Sequence, residues 1–445
     1  MMKVRRLLLI GIATAATPVL SLIAAAPLLD RTAGEKQIAA VPVNADLVSR
    51  GEYLAKIGDC AACHTLAGQP PFSGGLRMKL PIGAIYTPNI TPDRYQGIGT
   101  FSMADFDRAL RFGVSRGHSL YPAMPFPSYA STRAEDVEAL YAYFMHGVEP
   151  AAVPNREAAI VFPLSMRWPL TYWRLAFAPE PKPIAAVPSG DPLIATGAYL
   201  VEGLGHCGEC HTPRNYAFKV RAQTSSEGPL FLSGARVESW FAPSLRSGGP
   251  GSLARWSEDE IATFLSTGSN HSGIAFGSMG DVISNSTQHL VRSDALAVAT
   301  YLKTLTDDGG GSRVYDKATD QALRRGDASA PGALGYLDNC AACHRPDGRG
   351  YAGVFPALAG NPAVETTDPL SLISIVLSGS TTTRTSATPA QFHMPSFAWR
   401  LSDSEVADIL SFARTSWGNK ASVVAESEVR QQRLELARPE STSNN

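Results

Sequence analysis

The sequence of 445 residues has almost no imbalance of charge: 39 Lys and Arg stand against 40 Asp and Glu, a formal net charge of −1. It therefore has no basic field to offer nucleic acid, and no nucleic-acid partner is expected. Cysteine is scarce. The six present, Cys60, Cys63, Cys207, Cys210, Cys340 and Cys343, form three pairs and leave none over for other chemistry. Strand signals are sparse, no long apolar run follows the first residues, and no collagen-like or disordered bias shows in a composition 44% hydrophobic and 18% charged. No nucleophile–base pair or phosphate loop stands out. Gly203-Leu-Gly-His-Cys-Gly208 spells G-x-G-x-x-G, but it overlaps a cysteine pair and follows no strand pattern, so it is a coincidence. What is plentiful is Pro (32) and Gly (39), a sign of many loops, in a chain long enough for two to four domains.

The N-terminus carries Lys3, Arg5 and Arg6 ahead of an apolar stretch from Leu7 to about Ala26. This pattern is that of an export leader, so an exported chain is expected. Ala24, Ala25 and Ala26 offer a processing region, although Pro27 is a poor residue just after a cut. At about twenty residues the stretch also has the length of a membrane anchor, so residues 1–26 are a signal peptide or an N-terminal anchor.

Each cysteine pair has the form C-x-x-C and is followed directly by a histidine: His64, His211 and His344. The contexts match as well, with "GEYLAKIGDCAACHT" at Gly51, "GAYLVEGLGHCGECHT" at Gly197 and "GALGYLDNCAACHRPDG" at Gly332. A structural zinc site needs four ligands close together, whereas these pairs lie 147 and 133 residues apart. A redox dithiol calls for one C-x-x-C near a βαβ pattern, not three copies in helical surroundings. C-x-x-C-H is the spelling for covalent haem attachment: two thiols form thioethers with the vinyl groups, and the histidine supplies a proximal nitrogen to the iron. Three c-type haems are expected.

Each repeat closes with an amphipathic helix pattern. Val137, Leu140, Tyr141 and Phe144 share a face in the first, Leu296, Ala299 and Leu302 in the second, and Val406, Ile409, Leu410 and Ala413 in the third. The expected fold is all-α, three tandem helical domains at 45–150, 189–306 and 330–418. An aromatic and Pro-rich linker (151–188) and a Gly-rich linker (307–329) join them, and a polar tail (419–445) is expected to be weakly ordered.

A six-coordinate haem takes a distal ligand, often methionine. Of nine methionines, Met124, Met279 and Met394 fall one per repeat, each after its motif and before the closing helix. Alone, each is a methionine packing on apolar surface; their placement favours ligation. His118, His271 and His393 lie near these methionines and compete with them, but a loop histidine is more often a surface residue. His206 sits beside Cys207 and cannot easily reach around the ring, and His146 and His289 read as surface residues. The aromatic stretch Ala158–Phe177 contains Pro163, Arg167, Pro169 and Arg174, which rule out a simple membrane span. It is either a strap packed over haem units or a docking surface for a partner or the membrane interface.

The three motifs, with "IYTPNITPD", "GIGTFSMADFDRALRFGVSRGHSLYPAMPFPSY", "WSEDEIATFLSTG" and "HMPSFAWRLSDSEVADILSFAR", resemble the tri-haem cytochrome c subunits of bacterial membrane-bound dehydrogenases, over nearly the whole chain from Gly51 to Trp417. The resemblance implies three cytochrome c-like domains with thioether links from the cysteine pairs. It implies His64, His211 and His344 as proximal and Met124, Met279 and Met394 as distal ligands. The implied partner is a periplasmic catalytic subunit of flavin, pyrroloquinoline quinone or molybdenum type, with ubiquinone as acceptor at the cytoplasmic membrane. Some relatives end in an apolar anchor that this polar tail lacks. On this reading the chain relays electrons and has no independent catalysis. The alternatives are a peroxidase-type haem enzyme with one open iron and a stand-alone cytochrome feeding a terminal oxidase.

Overall fold

The computed structural model describes residues 20–34, 42–178, 180–184, 190–246, 248, 253–305 and 314–438. The first part of the leader (1–19), half of the Pro-rich stretch 179–188 (179 and 185–188) and the Gly-rich stretch 306–313 lie outside the described residues. The chain forms two compact units. One comprises 1–185 with 203–206, and the other 186–202 with 207–445.

The same helical arrangement arises three times from the same local chemistry. A leading helix runs into each cysteine motif: Ala45–Ile57, Pro192–Ala198 and Ala333–Asn339. The second continues as wider π-type turns through Tyr199–Leu204, kinked at Gly203. A closing helix packs across each: Ala134–His146, Arg292–Thr304 and Asp403–Thr415. The crossing depends on a missing side chain. A Cβ on Gly51 would lie 1.9 Å from the Ala139 carbonyl oxygen, on Gly197 2.0 Å from that of Ala297, and on Gly332 2.1 Å from that of Asp408. No side chain fits there, so glycine lets the two backbones touch. Most of the apolar faces expected from periodicity are buried, with Val137, Leu140 and Phe144 at 0–2% exposure, Ala299 and Leu302 at 0% and 4%, and Val406, Ile409, Leu410 and Ala413 all in the core, while Tyr141 and Leu296 are half-buried. "SDSE" works as a capping box: Ser402 Oγ accepts from the Glu405 backbone N–H, and Glu405 Oε2 accepts from that of Ser402.

In the first unit, Phe72, Phe106 and Phe144 meet edge-on or tilted at 5.2 and 5.9 Å between centroids. A small antiparallel sheet joins Arg77–Leu80, Gly83–Tyr86 and Ala159–Ile160, with Met78 opposite Ile85 and Ala84 opposite Ala159. The aromatic stretch thus supplies the third strand and then a helix, Trp168–Phe177, that packs on this unit. Trp173 meets Phe126 at 6.1 Å, and Arg167 donates to the Ser119 carbonyl.

In the second unit, helix Leu370–Ser378, belonging to the third repeat, is tied to the strand Trp240–Ala242 of the second. Ser371 Oγ accepts from the Phe241 N–H and donates to its carbonyl, and Ser374 Oγ donates to the Ser239 carbonyl.

The tail departs from expectation. Glu426–Ala437 is a helix packed on the third repeat, with Val429 at 0% exposure. Arg433 ion-pairs with Asp403 and donates to the Ala398 and Leu401 carbonyls, while Gln432 donates to Ser374 Oγ. Its polar composition hides a narrow buried seam, which charged neighbours tie down at both sides.

Candidate haem sites

Each cysteine pair lies on or at a single helical turn: Cys60–His64, Gly208–His211 just after Cys207, and Ala341–His344 just after Cys340. One turn brings i and i+3 to one side, so both sulfurs of a pair face the same way. All six cysteines are half-buried. Burial, with lesser contributions from neighbouring groups, pushes the thiols of Cys60, Cys207 and Cys340 up to about 12, so they stand as thiols.

The histidine that follows each pair is held by the same two-point clamp. Its ring Nδ1 lies 2.8 Å from the Pro88 carbonyl oxygen in the first site, 2.7 Å from that of Pro243 in the second and 2.9 Å from that of Pro356 in the third. A carbonyl only accepts, so Nδ1 carries the proton and Nε2 keeps its lone pair. Burial lowers all three imidazoles below the ordinary value and keeps them neutral, as a metal ligand must be. The histidine's own carbonyl accepts from a glycine N–H: Gly74 at 2.7 Å, Gly234 at 2.8 Å and Gly350 at 3.1 Å. All three glycines have positive φ, at 75°, 94° and 59°. In the first two sites the following threonine adds a third tie, with Thr65 Oγ1 accepting from Phe72 N and Thr212 Oγ1 from Leu232 N. Arg345 stands in that place in the third.

Gly74 tests the clamp. A Cβ there would lie 2.5 Å from the Thr87 oxygen and 2.6 Å from the Pro88 oxygen that holds His64. Gly74→Ala should cost roughly 2–4 kcal/mol through clash and backbone strain. It should also move the potential of a haem held at this site and of no other, read as a lower unfolding midpoint and one displaced wave in a redox titration.

The "PNITPD" string is explained by what it anchors. Asn89, 2% exposed, donates to the Ala151 and Val153 carbonyls, and its Oδ1 accepts from the Thr91 N–H and hydroxyl. This pins the chain directly after Pro88 to residues 151–155, so the carbonyl on His64 rests on a rigid support.

The three methionines are half-buried. Met124 lies in a tight turn where its N–H donates to the Tyr121 carbonyl and its own carbonyl accepts from Phe126. Met394 pairs with Ser380 in a two-stranded ribbon and packs on the same apolar core as Cys340. Met279 is in the first turn of helix Ser278–Asn285; Gly277, at φ 57°, starts that helix and Gly280 lies inside it. The competing histidines are exposed: His271 pairs with Glu260 at 2.6 Å, and His393 shares a hydrogen bond with Thr381. His118, His146 and His289 are exposed too, and His206 stacks edge-on with Tyr129.

Two thiols on one turn, an imidazole with Nδ1 already engaged and a methionine in each repeat make a donor set that fits c-type haem. In the first unit, Arg77 and Arg108 also hold buried Nε–H groups without an acceptor, donors of the kind a propionate takes. Among the described residues no cluster of three or more His, Cys, Asp or Glu could hold a bare metal ion. The carbonyl and glycine partners were not visible in the sequence, because a backbone acceptor leaves no residue signature and Pro88, Pro243 and Pro356 follow their histidines by 24, 32 and 12 residues.

The cytochrome c family profile matches residues 329–417, which carries covalently bound c-type haem to this chain. The alcohol dehydrogenase (quinone) cytochrome c subunit of Gluconacetobacter polyoxogenes is 49% identical over 84% of this chain and 81% of its own. The gluconate 2-dehydrogenase cytochrome c subunit of Pantoea cypripedii is 49% identical over 86% and 89%, and the fructose dehydrogenase cytochrome subunit of Gluconobacter japonicus 34% over 87% and 82%. With identity at this level along most of both chains, and with haem-type donor sets at its cysteine motifs, the protein belongs to the cytochrome c subunits of membrane-bound dehydrogenases, the electron-transfer components of those complexes.

Proposed function

We propose that the chain carries three covalent haems in three tandem cytochrome c-like domains, 45–150, 189–306 and 330–418. It would pass electrons through them from a periplasmic dehydrogenase subunit to ubiquinone at the cytoplasmic membrane. Cys60 and Cys63, Cys207 and Cys210, and Cys340 and Cys343 form the thioethers; His64, His211 and His344 are proximal ligands, and Met124, Met279 and Met394 distal. The observation that carries this reading is the threefold clamp, a proline carbonyl on Nδ1 and a left-handed glycine on the histidine carbonyl. Bound haem iron supplies one-electron redox chemistry. The chain's own residues hold each imidazole in one tautomer, and a half-buried methionine of each repeat would supply the second donor. A donor on each side leaves no open coordination position, which suits transfer and opposes peroxidase-type bond chemistry. The catalytic partner's cofactor is of flavin, pyrroloquinoline quinone or molybdenum type.

The test is carbon monoxide added to the dithionite-reduced holoprotein. Three haems ligated on both sides are expected to show no rapid, stoichiometric change in the Soret band. Rapid binding at one haem would support the peroxidase-type alternative, and it would point first to Met279, whose helical setting is unlike that of the other two.

A further inference from the structure

We propose that the N-terminal helix is retained in the mature protein, and that together with residues 161–175 it forms the face that lies against the lipid bilayer. Residues 20–31 are helical, and the helix is held by a buried polar network. Asp30, 3% exposed, pairs with Arg174, itself 9% exposed, and accepts from the Ser119 N–H at 2.9 Å, the Ser119 hydroxyl at 2.7 Å and the Thr171 hydroxyl at 2.9 Å. Further along, Ala26 is 2% exposed, and the Leu22 carbonyl accepts from Tyr172 Oη at 2.8 Å. These contacts bind the helix to Trp168–Phe177.

A leader removed after Ala26 would take away the Ala26 contact and the acceptor for Tyr172, and it would leave Pro27 as the new first residue. Removal further along, past Asp30, would leave the Arg174 guanidinium buried without its counter-charge, a strongly destabilising change. The packing therefore argues against processing at either place.

The outward side of the same elements is apolar. Leu20 is 63% exposed, Leu28 63%, Val161 70%, Phe162 80%, Leu164 52% and Leu175 51%. Exposed apolar side chains occur singly elsewhere on the surface, but their grouping on these two packed segments marks a partner or membrane surface. The sequence names the occupant. Immediately before the helix lies Leu7–Val19, apolar and uncharged, which with Leu20–Ile23 has the length of a short membrane crossing. Lys3, Arg5 and Arg6 at its far end have the sign that stays in the cytoplasm, which leaves the haem-bearing chain on the opposite side. Trp168, Tyr172 and Arg167 beside the helix are residue types favoured at the lipid–water boundary.

This inference rests on the membrane association proposed above, and two measurements on the complex isolated from membranes separate them. The first is N-terminal peptide mapping of the mature chain. A peptide beginning at Met1 or Met2 is expected; a terminus at residues 25–27 or later would overturn the inference while leaving membrane association standing. The second is reconstitution into phosphatidylethanolamine–phosphatidylglycerol vesicles that contain a lipid with a photoreactive acyl chain. Crosslinks on peptides 20–34 and 158–177 are expected at tenfold or more the yield at Tyr216, which is fully open to solvent. They should fall at least threefold on 158–177 in the Phe162→Ser/Leu164→Ser variant. Yields on the two peptides no higher than at Tyr216 would overturn the lipid-facing assignment. A complex found wholly in the soluble fraction would overturn both readings.

Discussion

Replacing His211 with alanine is expected to leave the second haem tethered, open its iron to carbon monoxide and lower quinone reduction by the whole complex by at least about two orders of magnitude. The argument separates tether from ligand. With the proposed thioethers in place, Cys207 and Cys210 hold the group covalently whether or not an imidazole is present, so haem content should not change. His211 is the group at that site with a lone pair directed by the hydrogen bond of its other nitrogen to Pro243. Its loss removes the proximal donor and shifts the potential by something on the order of hundreds of millivolts, within the span of about 0.8 V that axial ligands set. If the haems work in series, one displaced centre limits the chain. The measurement is turnover with a quinone analogue beside the substrate-dependent reduction of an artificial dye that accepts electrons at the catalytic subunit. Quinone turnover should collapse and dye turnover should persist. Unchanged quinone turnover would place the second haem off the path.

The second large effect concerns stability. Trp417→Ala should cost about 3–5 kcal/mol, the range for deleting a large buried aromatic. Trp417 is 2% exposed and lies between Tyr336 and Phe412, at 5.2 and 5.7 Å between centroids. Its indole N–H donates to the Pro346 carbonyl, two residues beyond His344, and Gly348 leaves room for its ring. It thus joins the leading helix, the closing helix and the chain after the motif of the third repeat. A domain's total stability is usually 5–15 kcal/mol, so a loss of this size should give a separate early transition in thermal unfolding. Trp417→Phe keeps most of the apolar area and should recover more than half of the loss. Equal losses for the two variants would mean that the hydrogen bond, and not the packing, dominates.

How much of this was legible beforehand follows from where the chemistry is encoded. The motif is local: five consecutive residues carry two thiols and a histidine, so Cys60 to His64 and its two echoes stand out, and each lies on or at one helical turn. Periodicity is nearly as local, and the buried faces of Val137 to Phe144 and Val406 to Ala413 follow from a 3.6-residue repeat. The supports are not local. Pro88, Pro243 and Pro356 act through carbonyl oxygens that every residue possesses, at irregular distances along the chain. Asp30 illustrates the same limit, since a lone carboxylate after an apolar stretch gives no hint of Arg174 as its partner 144 residues away. The C-terminal helix escaped notice for another reason. Its buried seam is little more than Val424, Val429 and Gln432, too narrow for a polar segment to announce. Met279 was singled out by its place in the repeat, but the helix that begins at Ser278 was hidden by Gly277 and Gly280, which flank the methionine.

The central claim, three haems on one chain, is tested most directly by the mass of the intact polypeptide under denaturing conditions, where thioether-bound haem stays attached and axial ligands do not matter. The account predicts a mass above that of the mature chain by three haems. An increment of one or two would contradict it.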